Sequence, residues 1–156
     1  SLCTPRPHFT HFDLLLVVLR LGSNQIKDEG ATALMAALRE SQACRLRLLD
    51  LRKNNIGAEG AKAISEALVL LTSLTSVNVL SNKLDVESAK LLLKVKAEKP
   101  NLHTLCGLTH DETELDFTSH NLGPGDAKLL AREILVMASV TSVRSPAQPN
   151  RSSHVP

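Results

Sequence analysis

A chain of 156 residues, 43% hydrophobic and 22% charged, has the composition of one core-forming domain and not of a disordered segment. Its net charge of +2, with no basic stripe or patch, gives phosphate nothing to hold, so no nucleic-acid partner is expected. The apolar run LLLVVL, Leu14 to Leu19, is too short for a membrane span, and the three cysteines, Cys3, Cys44 and Cys106, are too scattered for a disulfide framework or a CxxC metal site. No membrane partner and no cofactor are therefore expected, and a reducing, cytoplasmic setting is. Trp and Tyr are absent and Phe occurs only at Phe9, Phe12 and Phe117, so a binding surface would rely on Arg, aliphatic and small polar side chains, with modest affinity.

Residues 1–11 hold Pro and polar residues and read as a flexible tail, followed by a domain over 12–143. The first element pair lies in LRLGSNQIKDEGATALMAAL, Leu19 to Leu38: an alternating Leu19-x-Leu21, then Asn24 and Ile26, then Gly30-Ala31 opening a stretch at helical spacing. LDLRKNNIGAEGAKAISEAL, Leu49 to Leu68, repeats it with Asn54, Ile56 and Gly60-Ala61. VNVLSNKLDVESAKLLLKV repeats it again from Val77, with Asn82, Leu84 and Ser88-Ala89. An apolar residue stands three places earlier, at Leu16, Leu46 and Leu74. The units start 30 and 28 residues apart, so another strand is due at Leu105, and Leu102-x-x-Leu105 arrives on schedule. No helix follows it. LDFTSHNLGPGDAKLLAREI instead restarts the pattern at Leu115, with His120 in the Asn position and Asp126-Ala127 opening the helix. The stretch 100–113 is thus an irregular insert, with an extra strand and a protruding loop as the alternatives. Val140 and Val143 begin one more unit before 144–156, which reads as a second flexible tail.

Each unit is expected to be a strand, a turn and a helix. Leu49 and Leu51 share one strand face, while Ala61, Ile64 and Leu68 share one helix stripe, and neither surface can be covered within a single unit. Stacking buries both. Turns stacked in this way leave backbone groups without a ladder, and an amide side chain supplies both a donor and an acceptor. A structural column of Asn24, Asn54 and Asn82, completed by His120, is the expected remedy. Small residues at Ala31, Ala61, Ala89 and Ala127 would let each helix lie close to its strand.

The pattern L-x-x-L-x-L-x-x-N-x-I/L, with GA or SA opening a full helix and a period near 28, resembles the leucine-rich repeats of the ribonuclease-inhibitor-like type over about Leu14 to Val143. The resemblance implies an α/β solenoid, a short horseshoe with a parallel concave sheet and outer α-helices. It also implies binding of a protein partner through the concave strands and nearby loops. No clear caps flank the units, and a section of a longer array, or a chain with inaccurate ends, is the simplest reason.

Chemical constellations are weak by comparison. GPGDAK, Gly123 to Lys128, lacks the Ser or Thr that a phosphate-cradling loop needs after its lysine, and it aligns without a gap on GAEGAK of the second unit. Pro124 then sits in a first helical turn, where its missing N–H does no harm. His103, Cys106 and His110 have zinc-binding side chains but no fourth ligand and no known zinc spacing. His8 and His11 fall in the tail. Ser119, His120 and Asp116 are sequence neighbours without a nucleophile elbow, and NRS at Asn150 is a glycosylation sequon without a secretion signal. No catalytic, cofactor-binding or metal residue is expected.

What remains is the concave face: Arg20, Arg47, Asp50, Arg52, Asn78, Ser81, His103, Glu114, Asp116 and Thr118, which the alternation leaves without a core duty. The expected function is a non-enzymatic protein-binding module that uses these positions. The alternatives are a GTPase-activating protein of the Ran-activator type and a structural section of a longer scaffold, in which further repeats of the same chain are the partners.

Overall fold

Where the hydrophobic period changes in sequence, the backbone changes from strand to helix. A computed structural model describes residues 17–41, 45–137 and 142–144. In chain order the elements are β1 (Val18–Arg20), α1 (Lys27–Glu40), β2 (Leu48–Asp50), α2 (Ala58–Leu70), β3 (Ser76–Asn78), α3 (Val86–Glu98), β4 (Glu114–Asp116), α4 (Pro124–Ile134) and β5 (Ser142–Arg144). The expected tails apart from Arg144, together with Leu16, Val140, Cys3, Cys44, His8, His11 and Asn150, lie outside the described residues.

The strand pairings β1–β2, β2–β3 and β4–β5 are parallel, and Leu19 is in register with Leu49, which is in register with Val77. Each helix packs on the next along the chain, α1 on α2, α2 on α3 and α3 on α4. Strands neighbour each other at about 4.8 Å and helices at about 9 Å, so a stack of such pairs must bend with its sheet inside. Between the layers lie Leu46, Leu49, Leu51, Ile56, Ile64 and Leu68 of the second unit and Leu74, Val77, Leu84 and Leu92 of the third, all buried. Each such side chain stabilises the fold by about 1.5–3 kcal/mol.

The turn column is an inter-unit device. Asn82 Oδ1 accepts the Asn54 and Ile56 amides at 2.9 and 3.0 Å, and its Nδ2 donates to Leu51 O and Val79 O at 3.0 and 2.8 Å. Asn54 Nδ2 likewise donates backward to Leu21 O and within its own unit to Leu51 O. Asn24, in the first unit, is exposed and, among the described residues, bonds within its own turn, to Leu21 O and Gly22 O. Immediately before the column, Ser23, Lys53, Ser81 and Ser119 all take left-handed φ between 55° and 64°. A conformation that L-residues disfavour recurs in every unit because the side-chain amide or imidazole that follows closes the turn over it.

His120 departs from the expected column. Its Nδ1 lies 3.0 Å from Thr118 O and its ring meets Phe117 edge-on, so it closes its own turn and bonds nothing in the third unit. Asp126 supplies the link instead: Oδ1 accepts the Ser81 amide and Oδ2 the Gly123 amide.

The cause is the insert. Residues 104–106 bridge to β3 through Thr104 and Cys106, so the strand due at Leu105 is present in reduced form. Val77 N donates to Thr104 O but Val79 N to Leu105 O, a one-residue bulge, after which Gly107 turns the chain at φ 71°. The layer of strands therefore divides into a three-stranded sheet, β1-β2-β3, and a two-stranded one, β4-β5. At the break the Leu105 amide is taken by the carboxylate of Glu133, fully buried on α4, and the Thr104 hydroxyl accepts the Cys106 and Leu108 amides. The ten extra residues also reset the phase of α4. Ala127, expected to pack close, is exposed, and Gly125 makes the approach instead, where a Cβ would stand 2.4 Å from Leu84 O.

Candidate functional site

Alternation in β2 sends Leu49 into the core and leaves Leu48, half-buried, and Asp50, itself only 8% exposed, on the opposite face. With their neighbours they line a shallow groove of about 240 Å³ made of Arg20, Leu48, Leu49, Asp50, Arg52, Ser76, Asn78 and Gly107. Asp50 Oδ2 lies 3.3 Å from Arg52 Nε, and the Arg52 side chain remains 51% exposed. That side chain leans across the first unit's turn, since a Cβ on Gly22 would come within 3.0 Å of Arg52 Cγ. Two guanidinium groups, from β1 and from the end of β2, thus flank one side of the groove, and the Asn78 amide closes the other. Gly107 is required there: its left-handed φ disfavours a side chain, and a Cβ would meet Asn78 Nδ2 at 2.7 Å.

Three of the candidates also hold the turns. Asp50 Oδ1 accepts the Arg52 amide, Asn78 Oδ1 the Leu80 amide and Asp116 Oδ1 the Thr118 amide, each two residues on. These are Asx turns, the local device that short acidic and amide side chains provide at the end of a strand. These positions, expected to lack a core duty, thus carry a turn-closing one.

Of the expected concave set, the groove gathers Arg20, Asp50, Arg52 and Asn78. Arg47 is exposed before β2, outside the groove, and its carbonyl accepts the Thr75 and Ser76 amides. Ser81 does not present its hydroxyl: Oγ is buried without a hydrogen-bond partner among the described residues. His103 opens onto a different depression, beside α3 and α4. Glu114 and Asp116 are exposed on β4, beyond the break in the sheet, and Thr118 is exposed just after that strand. Sequence reasoning missed Leu48 and Ser76, although both stand two places before a named residue and the same alternation exposes them. No sequence signal places Gly107.

The chemical constellations are committed elsewhere. Asp116 Oδ1 accepts the Thr118 amide and hydroxyl, and His120 Nδ1 lies against Thr118 O. Burial, with a further contribution from the Glu133 charge, pushes the Cys106 thiol far above the ordinary cysteine range, and His110 Nε2 lies 2.7 Å from Glu133. Among the described residues, no group of three or more His, Cys, Asp or Glu is arranged to hold a metal ion. Gly123 precedes α4 as a repeat turn and Pro124 is its first residue, a structural role for GPGDAK.

The family model described as "Leucine Rich repeat" matches twice, at residues 15–35 and 43–65, over the first two strand–turn–helix units. The fold is an α/β leucine-rich repeat solenoid. Leucine-rich repeats are generally protein–protein interaction modules, and the groove lies on the strand face of the solenoid. No curated protein matches the chain. No helix among the described residues is long and apolar enough to cross a membrane.

Proposed function

We propose that this leucine-rich repeat chain is a non-enzymatic recognition module that binds a protein partner through the strand-face groove. The supporting observation is the groove itself, in which Arg20, the Asp50–Arg52 pair and Asn78 present polar groups on a backbone already fixed by the turn column. Such a surface binds with little backbone ordering cost, and arginine is enriched among residues that dominate interfaces. The ribonuclease-inhibitor-like subtype is part of the proposal, supported by the 28-residue spacing and by outer helices of 13 and 14 residues. So is a reducing, cytoplasmic setting, supported by the unpaired, buried Cys106.

The test compares the native chain with an Arg20→Glu, Arg52→Glu variant of equal helical content, each used to capture partners from a cell lysate. A protein retained by the native chain and lost by the variant, and then reproduced with purified components, is the expected result. Equal retention by both would remove the groove from the interface. A scaffold reading has one observation in its favour, because β5 pairs in parallel with β4 and continues the strand layer. It predicts self-association of the chain that the double variant leaves unchanged.

A further inference from the structure

A second depression, away from the strand face, opens between the C-terminal ends of α3 and α4. It encloses about 300 Å³, and its apolar lining includes Leu93, Ala97, Leu102 and Val136. Every ionisable residue that lines it is basic or a histidine: Lys96, His103, His110 and Arg132. Lys96 and Arg132 stand in the last turns of their helices, where a cation is favourable without any ligand, so the charge alone makes no site.

The corresponding groove between α1 and α2 shows what solvation by itself selects. It is lined by Ala36, Arg39, Glu40 and Leu70, a last-turn arginine with an acid beside it. Between α3 and α4 no acid lines the depression, and Glu98, the counterpart of Glu40 at the end of α3, is exposed outside it. Glu133 is fully buried beneath the depression, with Lys96 Nζ 2.6 Å from one carboxylate oxygen and His110 Nε2 2.7 Å from the other, so both side chains are held in place by a carboxylate that a ligand does not meet. The apolar lining is also open, with Val136 58% exposed and the adjoining Leu135 76% exposed.

We propose that this depression binds a segment of a protein that carries an aliphatic side chain beside a carboxylate. The aliphatic group rests on Leu93, Ala97 and Val136, and the carboxylate turns toward Arg132 and Lys96. Apolar contact gives the segment its seat, and the one-signed rim rejects basic sequences. The proposal does not depend on the strand-face groove.

The test is titration of a capped Glu-Leu-Glu-Leu-Glu peptide into the isotopically labelled chain, followed by amide chemical shifts. Saturable shifts are expected at Ala97, His103 and Val136 and not at Arg20, Leu48 or Asn78. Arg132→Glu and Val136→Asp, both at exposed positions, should each weaken binding about tenfold or more through like-charge repulsion. Absence of saturable shifts at the depression, shifts confined to the strand face, or unchanged binding by both variants would overturn the proposal. Equal binding of Lys-Leu-Lys-Leu-Lys or Glu-Gly-Glu-Gly-Glu, or full displacement by inorganic phosphate, would also overturn it, because each reduces the site to unspecific contact or to a bare anion.

Discussion

Replacing Asn82 by alanine separates the turn column from ordinary turn chemistry. The substitution leaves two buried donors, the Asn54 and Ile56 amides, without the acceptor they share. At about 1–3 kcal/mol for each unmet donor, the loss is about 4 kcal/mol, a large fraction of the stability of a domain this size. Asn24→Ala is the internal control, since Asn24 occupies the same repeat position but, among the described residues, bonds to carbonyls of its own exposed turn. Its cost should stay below about 1 kcal/mol. Without Trp or Tyr, intrinsic fluorescence is uninformative, so urea unfolding is followed by far-UV circular dichroism. With a slope of about 2 kcal/mol per molar, Asn82→Ala should lower the midpoint by about 2 M and Asn24→Ala by less than about 0.5 M. Equal shifts for the two would refute the inter-unit role of the column.

Glu133→Ala should cost about 3 kcal/mol or more, because it strands the partly buried Lys96 and the Leu105 amide, and the same unfolding assay reads it. Burial raises the Glu133 carboxyl, but Lys96, His110 and the Leu105 amide outweigh it and hold it below the ordinary 4.5. Its folded value lies below the unfolded one, so its stabilisation is complete above pH 4.5 and is lost as pH falls through the folded value. Asp126 works in the opposite sense, since burial outweighs the Gly123 and Ser81 amides and raises it, so the difference between wild type and Glu133→Gln isolates the Glu133 contribution. Parallel stability curves for those two between pH 6 and pH 3 would contradict the assignment. Gly107→Ala should destabilise by about 2 kcal/mol through its left-handed backbone and the Asn78 contact, measured by thermal unfolding. Cys106 should resist alkylation at mildly alkaline pH until denaturant is added, as peptide mass spectrometry would show, because a buried thiol held protonated is a poor nucleophile.

The sequence by itself determined the repeating unit. Two periodicities, 2 for the strand at Leu49 and Leu51 and 3.6 for the helix at Ala61, Ile64 and Leu68, are local consequences of backbone geometry and are legible wherever one face must be buried. The in-register stacking at 28 and 30 residues and the buried Asn54 and Asn82 follow from the same repetition, because equivalent residues in equivalent units meet. Four members of the groove, Arg20, Asp50, Arg52 and Asn78, were legible for that reason.

Tertiary structure decided what happens where repetition fails. The ten-residue offset from Leu105 to Leu115 gives no periodic signal, so the one-residue bulge, the division into two sheets and the rotated α4 cannot be read from local pattern. Asp126 and Glu133 stand at helix positions that look solvent-exposed in sequence. They are buried because the interrupted strand layer leaves the Ser81 and Leu105 amides without backbone partners, and a buried donor must be met by whatever acceptor the packing brings to it. Periodicity fixes which residues are inside a unit, and only the contacts between unequal units decide which polar groups must follow them there.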